Sequence, residues 1–161
     1  MAKPVKAVPE GYHTLTPHLV IRDCERAIEF YKKAFGAEQR GEIAKGPSGK
    51  VMHAEIKIGD SVLMVVDEFP EMGSKSPQTI GGTAVSIHIY TDNADAAWKR
   101  ATEAGASVLM PMADMFWGDR FGVVADPFGH HWSIAQHVKD MTPAEMEQAM
   151  KQAFAQPPPK K

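Results

Sequence analysis

The alternation of apolar and polar residues predicts the same series of elements twice. Residues 16–38, "TPHLVIRDCERAIEFYKKAFGAE", show a short strand pattern, a turn at Asp23, a helical pattern and a stop at Gly36. Residues 86–107, "SIHIYTDNADAAWKRATEAGAS", repeat the series, with the turn at Asp92 and the stop at Gly105. A period of two is typical of strands and a period of 3.6 of helices. Each half therefore begins with a strand and a helix.

Three strand-like segments follow each helix. In the first half they are "EQRGEIA", "VMHAEIKIG" and "SVLMVVDE"; in the second they are "SVLMPMA", "DRFGVVADP" and "HHWSIAQH". The segment 69–82 between the halves is rich in Pro, Gly and Ser and reads as a linker. The pattern predicts an α+β fold of two βαβββ modules, residues 12–68 and 83–138. We expect a cupped, mostly antiparallel sheet with helices outside and a cavity inside.

Both ends of the chain have a different character. Residues 1–11 carry prolines and lysines and predict a flexible arm, and residues 157–161 predict a disordered tail. Residues 139–156 predict a helix, in which Thr142 is the N-cap, Pro143 takes the first position and Glu145 closes a capping box. Met141, Met146, Met150 and Phe154 form an apolar stripe, for packing on the body or on a second subunit.

Strand alternation also predicts which side chains pack under the helices and which face the cavity. The side chains predicted to pack are Leu19, Ile21, Met52, Ala54, Ile56, Ile58, Val85, Ile87, Ile89, Trp132 and Ile134. Those predicted to face the cavity are Thr16, His18, Val20, His53, Glu55, Ser86, His88, Tyr90, His131, Ser133 and Ala135. The predicted cavity thus gathers histidines, hydroxyl groups and a glutamate.

Composition and charge exclude several classes of function. The formal net charge is −2 and the sequence pI is about 6.4, so we expect neither a nucleic-acid partner nor an anionic membrane partner. No apolar run reaches the length of a membrane span, and the first residues lack the apolar core of a signal peptide. The single cysteine, Cys24, excludes an internal disulfide and fits a cytoplasmic location. Its place predicts a helix-end residue rather than a nucleophile.

The repeat resembles the vicinal oxygen chelate superfamily, which includes glyoxalase I, the fosfomycin and bleomycin resistance proteins and the extradiol dioxygenases. The segments "HLVIRDCERAIEFYKKAFGAE" and "GDRFGVVADPFGHHWSIAQH" carry the resemblance, which covers about residues 12 to 138. Together with "HAEIKIGDSVLMVVDE" and "FWGDRFG" they are closest to the PhnB-like subgroup. The resemblance implies the paired-module fold, but members of this fold bind drugs, isomerise substrates, cleave rings or open epoxides.

The resemblance also implies where a metal would bind. Metal-dependent members place His, Gln or Glu at inward positions of the first and last strands of each half. Here those positions carry Thr16, Ser86 and Ser133, with the remaining one at or near Met64. These side chains lack the imidazole, carboxylate or thiolate groups that a divalent ion requires. We therefore expect no cofactor at the usual metal position.

A displaced metal site is the alternative. His18 and His88 stand two residues beyond the vacated positions in both halves, and Glu55 and His131 face the same predicted cavity. Two imidazoles and a carboxylate would suit Zn, Ni or Fe. The competing interpretation makes these histidines neutral hydrogen-bonding groups that line a polar cavity.

An aromatic segment adds a candidate ligand contact. Residues 110–120, "MPMADMFWGDR", bring methionines together with Phe116 and Trp117, and hold too many turn formers for a regular strand. Such side chains stack on planar ligands or seal a contact between halves or subunits. Asp119 and Arg120 are expected to pair with each other or to position the loop.

Three functions follow from these observations. The first is a metal-free, dimeric binding protein that holds a small, partly aromatic molecule on Thr16, His18, Ser86, His88, Tyr90, His131 and Ser133, with Phe116 and Trp117 at the rim. The second is a lyase or isomerase that uses the displaced metal (His18, His88, Glu55) or a histidine general base. The third is an interaction protein whose cavity is filled by its own side chains. The sequence leaves open whether any reaction is catalysed, and whether the modules pair within a chain or between chains.

Overall fold

The computed structural model describes residues 5–155 and contains the two predicted modules. The first consists of β1 (His18–Ile21), α1 (Cys24–Phe35), β2 (Glu38–Lys45), β3 (Val51–Ile58) and β4 (Ser61–Asp67). The second consists of β5 (Ser86–Tyr90), α3 (Ala94–Ala104), β6 (Ser107–Asp114), β7 (Asp119–Ala125) and β8 (His131–His137). A 3-10 turn (Pro70–Met72) and α2 (Pro77–Ile80) lie between them, and α4 (Pro143–Ala155) follows.

Each module forms its own four-stranded sheet. The strand order is β1-β4-β3-β2 in the first sheet and β5-β8-β7-β6 in the second. The pairs β1/β4 and β5/β8 are parallel, and the other pairs are antiparallel. The predicted α+β fold of two βαβββ modules is therefore confirmed. The two sheets are separate, so β1 and β5 are edge strands and not neighbours in one continuous sheet.

The helices of the repeat begin and end with the expected signals. Asp23 accepts a hydrogen bond from the backbone N–H of Arg26 at the start of α1, and Gly36 ends that helix with φ of 66°. In the second module the cap is Asn93, one residue after the predicted Asp92. The helix α1 has 12 residues and α3 has 11. The caps that begin them, Asp23 and Asn93, are equivalent in the repeat, and so His18 on β1 is the equivalent of His88 on β5.

The core lies where α1 meets both sheets. Leu19, Ile21, Ala54 and Ile56 are buried on the helix side of the first sheet, as alternation predicts. The ring of Phe35 lies 4.5 Å from that of Trp132, measured between centroids. The helix α1 thus packs against α3 and the second sheet as well as its own sheet, and its opposite side, with Glu25, Glu29 and Lys33, faces solvent.

Two residues predicted to pack are exposed. Met52 is 50% exposed because the register of β2 on β3 shifts between Ala44 and Lys45, so that Val51 and not Met52 is buried in the core. Val85 is 68% exposed because it precedes β5, where no helix covers the chain. Alternation predicts the facing of a side chain only where a partner element covers that part of the strand.

The segment 110–120 is more regular than its sequence predicts. Strand β6 continues through Pro111 as far as Asp114, with register shifts between Val108 and Ala113. It is an edge strand, and a proline without an N–H group is tolerated there. Only residues 115–118 form the turn that carries Phe116 and Trp117.

The turn "DPFG" is held by its own buried aspartate. Asp126 Oδ1 accepts hydrogen bonds from the backbone N–H groups of Phe128 and His130, each at 2.9 Å. Its Oδ2 accepts from the Tyr31 hydroxyl at 2.7 Å and from Trp132 Nε1 at 2.9 Å. Burial and the neighbouring charge of Asp126 raise the pKa of Tyr31. The carboxylate therefore joins α1 of the first module to β8 of the second.

The C-terminal helix begins with the predicted capping box. Glu145 Oε2 accepts from the N–H of Thr142 at 2.9 Å, and Thr142 Oγ1 accepts from the N–H of Glu145 at 3.3 Å. No residue of α4 is buried, and Phe154, 77% exposed, touches the chain through the ring of Phe116. Within residues 5–155, α4 is the longest helix at 13 residues, and no helix there is long and apolar enough to cross a membrane.

The end of the N-terminal arm contacts the first sheet at Glu10 and Tyr12. Arg40 Nη2 donates to the carbonyl oxygen of Glu10 at 3.5 Å, and its guanidinium lies 5.2 Å from the ring centre of Tyr12. The predicted flexible start of the arm (1–4) and disordered tail (157–161) lie outside the described residues. The predicted domain boundaries and the cytoplasmic location stay predictions.

Candidate functional site

The fold brings His88 and Ser133 into direct contact. They are paired positions on the parallel strands β5 and β8, and His88 Nδ1 lies 2.8 Å from Ser133 Oγ. Ser133 is only 4% exposed, whereas His88 is accessible to solvent. Among residues 5–155 no group forms a hydrogen bond with the other ring nitrogen, Nε2 of His88. Ser133 thus orients the imidazole of His88 through Nδ1, and Nε2 is available for a hydrogen bond to a ligand.

Aromatic rings surround this histidine on the face of the second sheet opposite α3. The His88 ring stacks on Phe121 with centroids 5.9 Å apart, and Tyr90 meets it edge-on at 4.5 Å. Trp117 contacts Phe121 at 5.5 Å, and Phe116 contacts Trp117 at 5.1 Å. We call Tyr90, Phe116, Trp117 and Phe121 the aromatic cluster. Such rings offer rigid apolar area to a planar ligand.

Asp119 holds two rings of the aromatic cluster in place by hydrogen bonds. Its Oδ2 accepts from the Tyr90 hydroxyl at 3.1 Å and from Trp117 Nε1 at 3.2 Å, and the carboxylate is buried. The hydrogen bond to Asp119 raises the pKa of the Tyr90 hydroxyl. Sequence reasoning gave Asp119 only a structural role in the loop. The signal that finds it is the alternation along "DRFGVVA", which places Asp119 on the same face as Phe121.

Arg120 does not pair with Asp119. On the opposite face of β7 its guanidinium contacts Asp95 at 2.8 Å and Asp114 at 3.0 Å. The hydrogen bonds that Arg120 donates to Asp95 and then to Asp114 raise the pKa of its guanidinium. The predicted pairing of Asp119 with Arg120 is therefore not present, and the two neighbouring residues have separate partners. Arg120 joins α3 to strands β6 and β7, and Asp119 serves the open face.

His137 extends the site toward the C-terminal segment. Its Nδ1 lies 2.8 Å from Asp119 Oδ1 and its Nε2 lies 2.9 Å from Asp140 Oδ1. The hydrogen bonds to Asp140 and then Asp119 raise the pKa of this imidazole. His137 stands at the end of β8, where its sequence position predicts a surface or subunit-contact group. In the structure it ties the residues after β8 to the aspartate beneath the aromatic cluster.

The contribution of His137 to stability is expected to depend on pH. A raised folded-state pKa means that its stabilisation is fully present below the unfolded value of about 6.5 and is lost as pH rises through the folded value. We expect His137→Gln to lower the urea midpoint most at about pH 5.5, with the difference from wild type shrinking toward pH 9. A difference that stays constant over this range would contradict the assignment.

A cleft of about 610 Å³ lies between the two modules beside His88. Its floor is apolar and includes Phe35, Trp132 and Ile134. One wall is the turn between β3 and β4, and the other is the edge strand β5. Three predicted site residues line it: Thr16, His88 and Tyr90. Its volume falls in the range of small-molecule sites, about 300–1,000 Å³.

The other residues predicted for the site do not line this cleft. Ser86 and His131 are paired on β5 and β8, two residues before His88 and Ser133. His18 lines a smaller cavity next to the cleft. Phe116 and Trp117 line neither cavity and belong to the aromatic cluster on the other face of the second sheet. The structure thus gathers most of the predicted set along β5 and β8.

Glu55 lies apart from His88, on the first sheet. Its carboxylate lies 3.1 Å from His53 Nε2 and 3.7 Å from Arg40 Nη1. The hydrogen bond from Tyr12, followed by the one from His53, lowers the pKa of Glu55. These neighbours already use the carboxylate. The open face of the first sheet is therefore charged, whereas that of the second sheet is aromatic.

The residues at the usual metal positions do not fit a divalent ion. Thr16 Oγ1 contacts the carbonyl oxygen of His13, Ser133 contacts His88, and Met64 is paired with His18 on β4 and β1. Within residues 5–155, no three or more His, Cys, Asp or Glu side chains are grouped so that they could hold a metal ion. The displaced set of His18, His88 and Glu55 is thus divided between two sheets.

Cys24 has the properties of a structural residue. It is fully buried at the start of α1, and its backbone N–H donates to Asp67 Oδ1 at 2.8 Å. Burial raises the pKa of the Cys24 thiol to about 12. The reactive thiolate is therefore scarce at neutral pH. This agrees with the predicted helix-end role.

Comparison with known proteins gives relatives and neighbours over most of the chain. Uncharacterized protein Mb0911c of Mycobacterium bovis is 48% identical over 139 residues, which are 84% of this chain and 91% of the relative. The crystal structure of protein PA1353 from Pseudomonas aeruginosa has a TM-score of 0.63 at 26% identity, covering 78% of this chain and 98% of that one. The names of these two proteins state no ligand or reaction.

A PhnB protein from Bacillus cereus shares the fold, with a TM-score of 0.58 at 19% identity, and covers 77% of this chain and 99% of that one. The family description that matches residues 12–134 spans both modules, the cleft and the pair His88–Ser133. This match agrees with the resemblance found in the sequence and with the two βαβββ units of the structure. The chain belongs to the Glyoxalase/Bleomycin resistance protein/Dioxygenase superfamily.

Proposed function

We propose that the protein binds a small, partly aromatic molecule in the cleft between its modules. The observation that carries this proposal is the cleft itself, about 610 Å³ with an apolar floor and an accessible histidine on its wall. Sites for small molecules are typically concave, mostly apolar and supplied with a few placed polar groups. Phe35, Trp132 and Ile134 supply the apolar floor, and His88 supplies the polar group.

The neighbourhood of His88 supports an aromatic ligand. His88 and Tyr90 line the cleft at its β5 edge, where a planar molecule would contact them, whereas Phe116, Trp117 and Phe121 lie on the other face of the second sheet and do not line the cleft. Ser133 holds the imidazole by a hydrogen bond of 2.8 Å, which reduces the ordering cost of binding. The homodimer predicted from sequence stays a prediction; exposed Val108 and Leu109 on the edge strand β6 offer apolar area for it.

The test is calorimetric titration with a planar alcohol, 2-naphthylmethanol, as the probe. We expect measurable binding by the wild-type chain and about a tenfold loss of affinity in His88→Ala, from one lost hydrogen bond and lost ring contacts. His53→Ala is the matched control, because His53 is partly buried on the first sheet and does not line the cleft. Equal binding by His88→Ala, or an equal loss in both variants, would contradict the proposal.

One observation favours a second candidate, a lyase or isomerase that uses His88 as general base. Ser133 occupies Nδ1, and Nε2 has no hydrogen-bond partner among the described residues. A neutral imidazole near pH 7 accepts a proton well if it is held within reach of the reacting group. Proton NMR of a bound molecule separates the two candidates: turnover that is lost in His88→Ala supports the enzyme, and unchanged spectra support the binding protein.

A further inference from the structure

We propose that the molecule bound in the cleft carries a carboxylate, which enters a second cavity beside Lys75. This inference rests on the proposed function, since it adds the charged end of the same ligand. The second cavity has a volume of about 300 Å³, and Pro17 and Ile87 belong to its wall and to the wall of the cleft. The two spaces therefore share part of their walls, and the proposed ligand extends from the cleft into the second cavity.

The second cavity is selectively basic. Lys75, His18 and His130 are its titratable lining residues, and no Asp or Glu belongs to its wall. The larger cleft is lined by Asp60 and Arg100, whose charges have opposite sign, and so it does not favour an anion over a cation. Among residues 5–155, Lys75 makes no ion pair and donates no side-chain hydrogen bond. Its ammonium group is thus available for an anion.

Glu68, which stands seven residues before Lys75, is already engaged by other residues. Glu68 accepts hydrogen bonds from the Thr79 hydroxyl at 2.6 Å, from Ser76 at 2.7 Å and from Arg22 at 3.1 Å. The hydrogen bond from Thr79 is the first of the causes that lower the pKa of Glu68 to about 2. Arg22 is its cationic partner at 3.1 Å. Lys75 is therefore left without a carboxylate from this network.

The two histidines have different roles in the cavity. His130 Nε2 lies 3.1 Å from the carbonyl oxygen of Val20 and must donate to it, which fixes the ring as part of the wall. His18 has no side-chain hydrogen bond within the described part of the chain, so one of its nitrogens can donate to an anion. Lys75 and His18 together offer a full positive charge and a second donor.

The rest of the wall selects the class of anion. Leu19, Val20, Pro77, Ile80 and Val85 give it an apolar character. One cation with an additional donor matches a monovalent carboxylate on an apolar body. A phosphate, with more charge and three acceptor oxygens, demands more donors than this wall supplies. The structure therefore points to an aromatic or aliphatic carboxylic acid.

The experiment compares three probes with one ring system: 2-naphthoate, 2-naphthylmethanol and 2-naphthylmethylammonium, each titrated calorimetrically. We expect the carboxylate to bind about tenfold more tightly than the alcohol, and Lys75→Gln to remove this advantage without weakening the alcohol. Lys57→Gln is the matched control, because Lys57 is an exposed lysine on β3 that lines neither cavity. It is expected to change no affinity by more than about twofold.

The outcomes separate this inference from the proposed function. Equal affinity for carboxylate and alcohol, or tighter binding of the ammonium probe, overturns the inference and leaves the binding function in place. An unchanged carboxylate advantage in Lys75→Gln also overturns it. If none of the three probes binds, while the wild-type chain is folded by circular dichroism, the proposed aromatic-binding function fails as well.

Discussion

Replacing Asp126 by alanine is expected to lower the free energy of unfolding by about 4 kcal/mol. The carboxylate is 5% exposed and accepts four hydrogen bonds, from Tyr31, Phe128, His130 and Trp132. Its removal leaves buried donors of Tyr31 and Trp132 without a partner, and each such donor costs about 1–3 kcal/mol. The loss also breaks a hydrogen bond between the two modules. Urea unfolding followed by tryptophan fluorescence measures the change.

Two variants bracket this result. Asp126→Asn keeps one acceptor oxygen but presents an N–H₂ group to another donor, so we expect a loss of about 2 kcal/mol and a folded protein. Asp92→Ala is the control, because this exposed aspartate accepts one long hydrogen bond of 3.4 Å from the neighbouring Thr91. It is expected to change stability by less than about 0.5 kcal/mol. Similar losses in Asp126→Ala and Asp92→Ala would exclude the bridging role of Asp126.

Gly118→Ala is expected to destabilise the protein by about 3 kcal/mol and to release the C-terminal segment. Gly118 has φ of 96°, a region that alanine adopts poorly. A Cβ atom there would also overlap the carbonyl oxygen of Lys139. Gly118 O accepts from the N–H groups of Val138 and Lys139 at 2.9 and 3.0 Å, and the substitution would break this attachment. Urea unfolding and amide hydrogen exchange of residues 138–155 measure the two effects.

Gly49→Ala isolates the contact from the backbone strain. Gly49 has a similar φ of 80°, but a Cβ atom there would meet nothing within 4 Å. We expect it to cost about 1 kcal/mol, with exchange in residues 138–155 unchanged. If both variants lose the same stability, the attachment at Gly118 has no energetic weight. If exchange rises in both, the effect is global and not local to the C-terminal segment.

The fold could be predicted because local signals repeat along the chain. Helix caps, C-terminal glycines and strand alternation depend on neighbouring residues, and the same order of signals occurs twice. Alternation failed for Met52 because the pairing of β2 with β3 is irregular there, and for Val85 because no helix covers the chain before β5. It also could not show that α1 would pack between the modules, because the contact of Phe35 with Trp132 joins residues far apart in sequence.

The site could be predicted only in part, for the same reason. Inward alternation found His88 and Ser133 separately, and the register of β5 on β8 brings them to 2.8 Å. Asp119 was missed, since its three partners, Tyr90, Trp117 and His137, come from β5, the β6–β7 turn and β8. The basic cavity was missed because Lys75 lies in a linker whose path no periodicity predicts.

The open faces of the two sheets carry different residues, whereas the helix side of each sheet buries apolar side chains. Equivalent positions of the repeat carry His18 and His88, but Met64 of β4 stands where β8 has Ser133. Side chains on an open face touch few of the residues that hold the modules together, such as Tyr31 and Trp132. Mutations can therefore accumulate on one face, and alter what the protein recognises, at little cost to folding. The two modules can thus share one scheme of packing while their open faces carry different chemistry, charged on one sheet and aromatic on the other.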